Sequence, residues 1–130
     1  MTDLPRPAAI VEALLDATMV PDPETAATYL AAGLTITFTG GVKFSHPSEI
    51  ATYNGARYKW VKKRYGTYDI AETPEGTVVY SMGTLYGEWP DGTPFEGTRY
   101  IDRFLLKDDK VVRWDVWNDS AERILERGQS

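Results

Sequence analysis

The first third of the chain places its apolar side chains at helical spacing. Between residues 5 and 20 they fall on one stripe with acidic residues outside it, which predicts an amphipathic helix with one buried face. Asp22 and Pro23 then suit the cap and first turn of a second helix, because aspartate accepts from an orphan amide and proline lacks one. This second helix is predicted to end at Gly33.

Period two replaces helical spacing at residues 34–39, where apolar and hydroxyl side chains alternate as in a half-buried strand. Gly40 and Gly41 predict a turn, and residues 42–44 predict a short partner strand. A third helix is predicted over Ser48–Arg64. One face of that helix would carry Ile50, Tyr53, Arg57, Trp60 and Val61.

Four further strands are predicted after the third helix, at residues 67–72, 77–89, 95–106 and 111–117. Asp119 and Glu122 then suit the capping box of a last short helix. At 130 residues the chain has the length of one domain, and we expect a single α+β domain over residues 1–130. Residues 34–117 would form one strongly curved antiparallel sheet with three helices on its concave face, a cone open at one end.

The residue inventory argues against several function classes. The formal net charge is −5, and nucleic-acid binding depends on neutralising phosphates, so no nucleic acid is expected. With no cysteine and one histidine the chain offers few metal ligands, and neither a metal nor another cofactor is expected. No apolar stretch approaches roughly 18 residues and no cationic signal start is present, so we expect no membrane contact and a cytoplasmic location.

Segments near the end of the chain resemble a known superfamily. Residues 100–106 read Tyr-Ile-Asp-Arg-Phe-Leu-Leu, residues 107–112 read Lys-Asp-Asp-Lys-Val-Val, and residues 114–119 read Trp-Asp-Val-Trp-Asn-Asp. With the element order, these segments resemble the nuclear transport factor 2-like (NTF2-like) superfamily, in its SnoaL-like and ketosteroid-isomerase-like branch. The resemblance implies a cystatin-like cone around a small-molecule pocket, and a homodimer formed through the convex face of the sheet.

The ketosteroid isomerases allow a residue-by-residue comparison. By this resemblance their oxyanion acid falls on Asp102, their general base at or near Phe38, and their oxyanion tyrosine near Leu14. Because phenylalanine cannot accept a proton, the resemblance argues against ketosteroid isomerase activity. Asp102 remains as the candidate catalytic residue.

Strand alternation would place Asp102 on the concave face, on the same side as Glu96, Tyr100 and Phe104. The more apolar face of the last strand, which carries Trp114, is assigned to the same side. A three-residue turn between the two strands would then pair Trp114 with Asp102.

Two interpretations of Asp102 stay open. A carboxyl group beside an indole in an apolar cone has its charged form disfavoured, so it could act as a general acid, a general base or a hydrogen-bond donor. Alternatively Asp102 pairs with a cation, for which Arg57 is the first candidate, and does no chemistry.

Six aromatic or polar side chains are candidates for ligand binding: Tyr53, Trp60, Tyr100, Trp114, Asn118 and His46. His46 is either a base at the pocket mouth or a loop residue that begins a helix. The expected partner is a small hydrophobic molecule. Two functions remain open for the protein. It is either a cofactor-independent acid–base enzyme of SnoaL-like type (isomerase, cyclase, dehydratase or hydrolase) or a non-catalytic ligand-binding or dimeric assembly module.

The long strand at residues 77–89 carries Tyr80, Met82 and Tyr86 on one face and small residues on the other. The aromatic face would be convex and too apolar to leave in water. We therefore expect a homodimer through this face, which a two-fold axis would make self-complementary.

Overall fold

The first three helices contribute to one core with a six-stranded sheet in the computed structural model, which describes residues 4–128. In chain order the elements are α1 Arg6–Met19, α2 Pro23–Ala27, β1 Leu30–Thr37, a 3₁₀ turn Thr39–Gly41, β2 Lys43–Phe44, α3 Pro47–Arg57, β3 Trp60–Thr73, β4 Gly76–Glu88, β5 Pro94–Lys107, β6 Lys110–Asn118 and α4 Ser120–Gly128. Across the sheet the strands lie in the order β2-β1-β6-β5-β4-β3. The α+β architecture predicted from the sequence is confirmed.

The sheet is mixed, because β1 and β6 run parallel, with Ile36 opposite Trp114. The other four pairings are antiparallel. The expectation of a purely antiparallel sheet is therefore wrong at this one pair. The reason lies in the connection: α3 carries the chain to the far edge at β3, and the meander β3–β6 then returns to β1 from the other side.

The predicted third helix is seven residues too long. It ends at Arg57, and Tyr58 is already extended, with φ −127° and ψ 150°. Trp60 and Val61 therefore belong to β3 and not to a helix face. The cause is tertiary pairing, because β3 forms a long ladder with β4 that begins at Trp60 opposite Glu88 and is interrupted by one register shift between Tyr65 and Thr67. The second helix likewise stops at Ala27, well before Gly33, because β1 begins at Leu30.

Helix α1 covers the concave face with its apolar stripe. Val11, Leu14 and Leu15 are fully buried and belong to one cluster with Phe104 of β5 and Trp114 of β6. The rings of Phe104 and Trp114 stack with their centroids 5.2 Å apart. Burial of this stripe is the main force that holds α1 on the sheet, since apolar area removed from water stabilises the fold.

Alternation along β5 follows the prediction from Thr98 to Phe104, whose even-numbered side chains are buried. Glu96 departs from it and is exposed, because Gly97 adopts a positive φ of 75° and breaks the alternation. On β4, Ser81 and Leu85 are buried while Tyr80, Met82 and Tyr86 lie on the convex side with partial exposure. No helix within residues 4–128 is long and apolar enough to cross a lipid bilayer.

Candidate functional site

Asp102 lies in the middle of β5 with its side chain only 1% exposed, and it forms an ion pair with Lys63 of β3. The Lys63 Nζ donates to Asp102 Oδ2 at 3.0 Å. The same ammonium group lies 3.7 Å from the centre of the Tyr100 ring. The Lys63 side chain is only 6% exposed. The Asp102 carboxylate and the Tyr100 ring face together compensate its buried positive charge.

Arg57 is not the partner of Asp102, and that prediction is wrong. Its guanidinium lies 5.2 Å from the centre of the Tyr53 ring and donates to Thr39 Oγ1 at 3.3 Å. Because α3 ends at Arg57, Lys63 falls on β3. There it lies opposite Leu85 and faces the concave side.

Asp102 and Trp114 each carry a buried polar atom without a hydrogen-bond partner among the described residues. These atoms are Asp102 Oδ1 and Trp114 Nε1. The predicted direct pairing of these residues is replaced by Asp102 opposite Val116 and Phe104 opposite Trp114. The turn between Lys107 and Lys110 has two residues and not three, and β5 and β6 shift register by one more residue near Leu105. Native proteins rarely leave such groups unsatisfied, so both atoms indicate a place where a polar partner belongs.

A small cavity, which we call the inner chamber, borders both Asp102 and Trp114. Its volume is about 30 Å³, which is enough for one or two water molecules. Lys63, Asn118 and Phe38 are among the other residues that line it. The chamber therefore combines a carboxylate, an ammonium group, an indole N–H and an amide at the base of an otherwise apolar cone.

Burial raises the pKa of Asp102 above its ordinary value, because a charged carboxylate is poorly solvated inside the cone. The Lys63 ammonium acts in the opposite direction, through its charge and its hydrogen bond. Approach of the Trp114 indole N–H toward the carboxylate adds a smaller lowering effect, although the two groups do not reach full hydrogen-bond geometry. The proton affinity of Asp102 thus depends on the Lys63 ammonium group.

A second cavity, the outer chamber, lies between the C-terminal end of α1, the second half of α3 and the start of β3. Its volume is about 160 Å³. Five residues line both chambers, which makes them neighbours: Thr18, Met19, Asn54, Tyr58 and Val61. Even together the chambers are smaller than the roughly 300–1,000 Å³ that holds a drug-sized ligand, so only a small molecule fits.

The structure brings three of the candidate ligand-binding residues to these chambers. Trp114 and Asn118 line the inner chamber, and Trp60 lines the outer one. Asn118 also accepts the Ser120 backbone N–H through its Oδ1 at 3.1 Å, which holds its side chain in place. Trp60 reaches the chamber from the first position of β3, and not from a helix face as predicted.

The other three candidates lie outside both chambers. Tyr100 supports the Lys63 ammonium with its ring. Tyr53 packs edge-on against Phe38 and Phe44 and hydrogen-bonds the Thr39 hydroxyl at 3.0 Å.

His46 caps α3 and is partly buried. Its Nδ1 accepts the Ser48 backbone N–H at 3.0 Å, while the Glu49 carboxylate accepts the His46 backbone N–H at 3.1 Å. These bonds form a capping box, which explains the histidine without any catalytic role. Within residues 4–128, no three side chains of metal-ligating type come together.

Sequence reasoning missed several residues of the site, of which three carry polar groups with a clear part in it. Lys63, Asn54 and Tyr58 all line the inner chamber. The Tyr58 hydroxyl is hydrogen-bonded to Ser120, and burial raises its pKa above the ordinary value. The available signal was the alternation of Val61, Lys63 and Tyr65, which a strand that begins at Trp60 would have placed on the concave face.

The chain forms an α+β cone with a small cavity that has polar groups at its base. Comparison with known proteins shows which fold this is. No protein-family model matches the chain, and no curated protein matches its sequence. Solved structures do match. An NTF2-like protein of unknown function from Burkholderia pseudomallei is 14% identical with a TM-score of 0.75, over 94% of this chain and 97% of that chain.

Two further structures agree with that match. A candidate SnoaL-like polyketide cyclase from a Jannaschia species is 13% identical with a TM-score of 0.72, over 95% of each chain. TerC, co-crystallised with polyporic acid, is 11% identical with a TM-score of 0.75, over 93% of this chain and 97% of that chain. The chain has the NTF2-like fold, and the resemblance noted in the sequence is confirmed at the level of the fold.

Proposed function

We propose that this protein binds a small, oxygenated cyclic molecule in the inner and outer chambers, as a pocket protein of SnoaL-like type. One observation carries the proposal: Asp102 and Trp114 border the same small cavity, and their buried Oδ1 and Nε1 atoms have no hydrogen-bond partner within residues 4–128. One atom accepts a hydrogen bond and the other donates one. A single hydroxyl group satisfies both, because its proton binds the carboxylate while its oxygen accepts from the indole.

The rest of the ligand would lie in the outer chamber, which borders the inner one through Tyr58 and Val61. A hydroxyl or enol on one ring fits this arrangement, with the oxygen inside and the ring toward the mouth. The match to TerC, whose structure was co-crystallised with polyporic acid, supports a small organic ligand for this fold.

The first experiment compares phenol with fluorobenzene, two rings of similar size of which only phenol carries a hydroxyl. We expect phenol to bind about tenfold more tightly, as a charge-assisted hydrogen bond would give. Trp114→Phe should reduce this preference, and Trp117→Phe, which changes an exposed tryptophan outside both chambers, should not. Equal binding of the two rings to the wild type, measured by titration calorimetry, would reject the proposal.

Proton transfer at Asp102 is the catalytic form of the same proposal. Asp102 lines the inner chamber, its Oδ1 has no hydrogen-bond partner in the described part of the chain, and the Lys63 ammonium on Oδ2 moderates its basicity. Such a site could move a proton to or from an enolisable carbon without a cofactor. The test is uptake of solvent deuterium by cyclohexanone, followed by NMR. If deuterium uptake with the wild type is no faster than with the Asp102→Asn variant, the catalytic form of the proposal is rejected and ligand binding without catalysis remains.

We also propose that the protein forms a homodimer through the convex face of the sheet. A groove of about 570 Å³ crosses this face between Met82, Ile101 and Trp117, and Trp117 is 52% exposed. Arg99 and Asp119 border the same groove, 2.6 Å apart. An apolar centre beside charges of both signs suits a second copy, because a self-complementary interface can set the arginine of one chain against the aspartate of the other.

A further inference from the structure

The mouth of the outer chamber is positive in a chain whose formal net charge is −5. Lys59 and Lys62 line it, and no aspartate or glutamate among the described residues does so. The proposed ligand would therefore enter past two ammonium groups. A cavity lined by one sign of charge attracts ligands of the other sign, since low-dielectric walls focus the field.

Lys62 has capacity left for a ligand. Its Nζ donates to the backbone carbonyl of Met19 at 2.8 Å and so offsets the partial negative charge at the end of α1. An ammonium group has three donors, so two remain. Lys59 is 3.6 Å from the Glu88 carboxylate, a long and exposed contact that a bound anion could share.

The mouth is also apolar, which restricts the kind of anion that fits. Val20 is 66% exposed and Trp60 is 40% exposed, and both line the outer chamber. A fully hydrated inorganic anion gains nothing from these surfaces. A flat ring gains contact with the indole of Trp60 while its charged substituent stays at the lysines.

We infer that the ligand is a small cyclic or aromatic carboxylate that carries a hydroxyl at its opposite end. The hydroxyl binds Asp102 and Trp114, the ring lies in the outer chamber, and the carboxylate meets Lys59 and Lys62. This inference rests on the proposed function and adds the charge and the orientation of the ligand.

Three probes separate the two proposals: 4-hydroxybenzoate, its neutral analogue 4-hydroxybenzamide, and benzoate, which lacks the hydroxyl. We expect 4-hydroxybenzoate to bind most tightly by titration calorimetry, about fivefold above each of the others. Its advantage over the amide should disappear as salt rises to about 1 M, because the lysines are exposed to screening.

Variants locate the effect. Lys62→Met should reduce the advantage of 4-hydroxybenzoate over 4-hydroxybenzamide, because an ammonium group attracts a carboxylate more strongly than a neutral amide. The matched control is Lys110→Met, because Lys110 also donates its Nζ to a backbone carbonyl, that of Thr28, outside both chambers. This control should leave the advantage intact.

The outcomes are distinguishable. Equal binding of 4-hydroxybenzoate and 4-hydroxybenzamide, with benzoate weaker, would overturn the inferred charge and leave the proposed function standing. Equal binding of 4-hydroxybenzoate and benzoate would overturn the hydroxyl subsite. Binding of none of the three would reject both proposals, and loss of the advantage in Lys110→Met would show that Lys62 has no specific part.

Discussion

Among single residues, Lys63 and Asp102 form the polar contact whose disruption should destabilise the fold most. Both side chains are almost fully buried, and each is the other's ion-pair partner. Removal of one charge leaves the other buried and uncompensated, so Lys63→Met and Asp102→Asn should each lower the free energy of unfolding by about 3–5 kcal/mol. Urea denaturation measures this loss.

The double variant completes this test. Lys63→Met with Asp102→Asn removes both charges, so its loss should be smaller than the sum of the two single losses by about 2–3 kcal/mol. Lys107→Met, at an exposed end of β5, is the control and should stay within about 0.5 kcal/mol of the wild type. Additive losses would mean that the two charges do not depend on each other.

The pH dependence of Lys63→Met follows from the same pair. Burial raises the Asp102 pKa and the Lys63 ammonium lowers it, so the variant should raise this pKa further. A carboxyl whose pKa is higher in the folded chain contributes stability that is complete below the unfolded pKa and lost as pH rises through the folded pKa. The deficit of Lys63→Met should therefore shrink from about pH 7 to about pH 4. A pH-independent deficit in urea denaturation would contradict this account.

At the scale of elements, the β3–β4 pair bends where glycines allow the backbones to approach. A Cβ on Gly83 would lie 2.2 Å from the Arg64 carbonyl oxygen and 3.0 Å from the Tyr100 ring. Gly83→Ala should therefore destabilise the protein by about 1–3 kcal/mol. Gly55→Ala is the matched control, because Gly55 lies in α3 with nothing within 4 Å of an added Cβ, and alanine there should stabilise by about 0.5–1 kcal/mol. Equal thermal stability of the two variants would contradict this view of the bend.

The same scale shows which elements the sequence could predict. Helix α1 and strands β4 to β6 carry regular periods, and their positions agree with the prediction. The start of β3 was not predicted correctly, because Lys62, Lys63 and Arg64 suit an exposed helix as well as an edge strand. Only pairing with β4 decides between them, and this decision also moves Lys63 to Asp102, a contact 39 residues apart in the chain. The parallel β1–β6 pair was beyond the sequence for the same reason, since long-range order depends on tertiary contacts.

For the molecule as a whole, the two faces of the sheet have different surroundings. Helix α1 covers the concave face and closes the cavity. On the convex face, Trp117 is half exposed beside Met82 and Ile101. Monomers rarely leave such a patch uncovered, which is the physical argument for the proposed dimer. A dimer would also hold the sheet rigid behind Asp102, whose strand supplies Ile101 and Arg99 to the convex groove.

The proposed dimer should be detectable in solution. Light scattering should give twice the chain mass of 14.6 kDa at concentrations on the order of tens of micromolar, where an interface of standard size holds. Trp117→Glu should give the mass of a single chain, because a carboxylate at the centre of the face would be buried without a partner. Val42→Glu, at an exposed apolar residue just before β2, should stay dimeric. At a protein concentration low enough for both variants to be monomeric, Trp117→Glu and Val42→Glu should have the same urea midpoint, since neither side chain packs in the core. Wild-type protein that is monomeric in this range would contradict the assembly, and would leave the cone and its two chambers to act in a single chain.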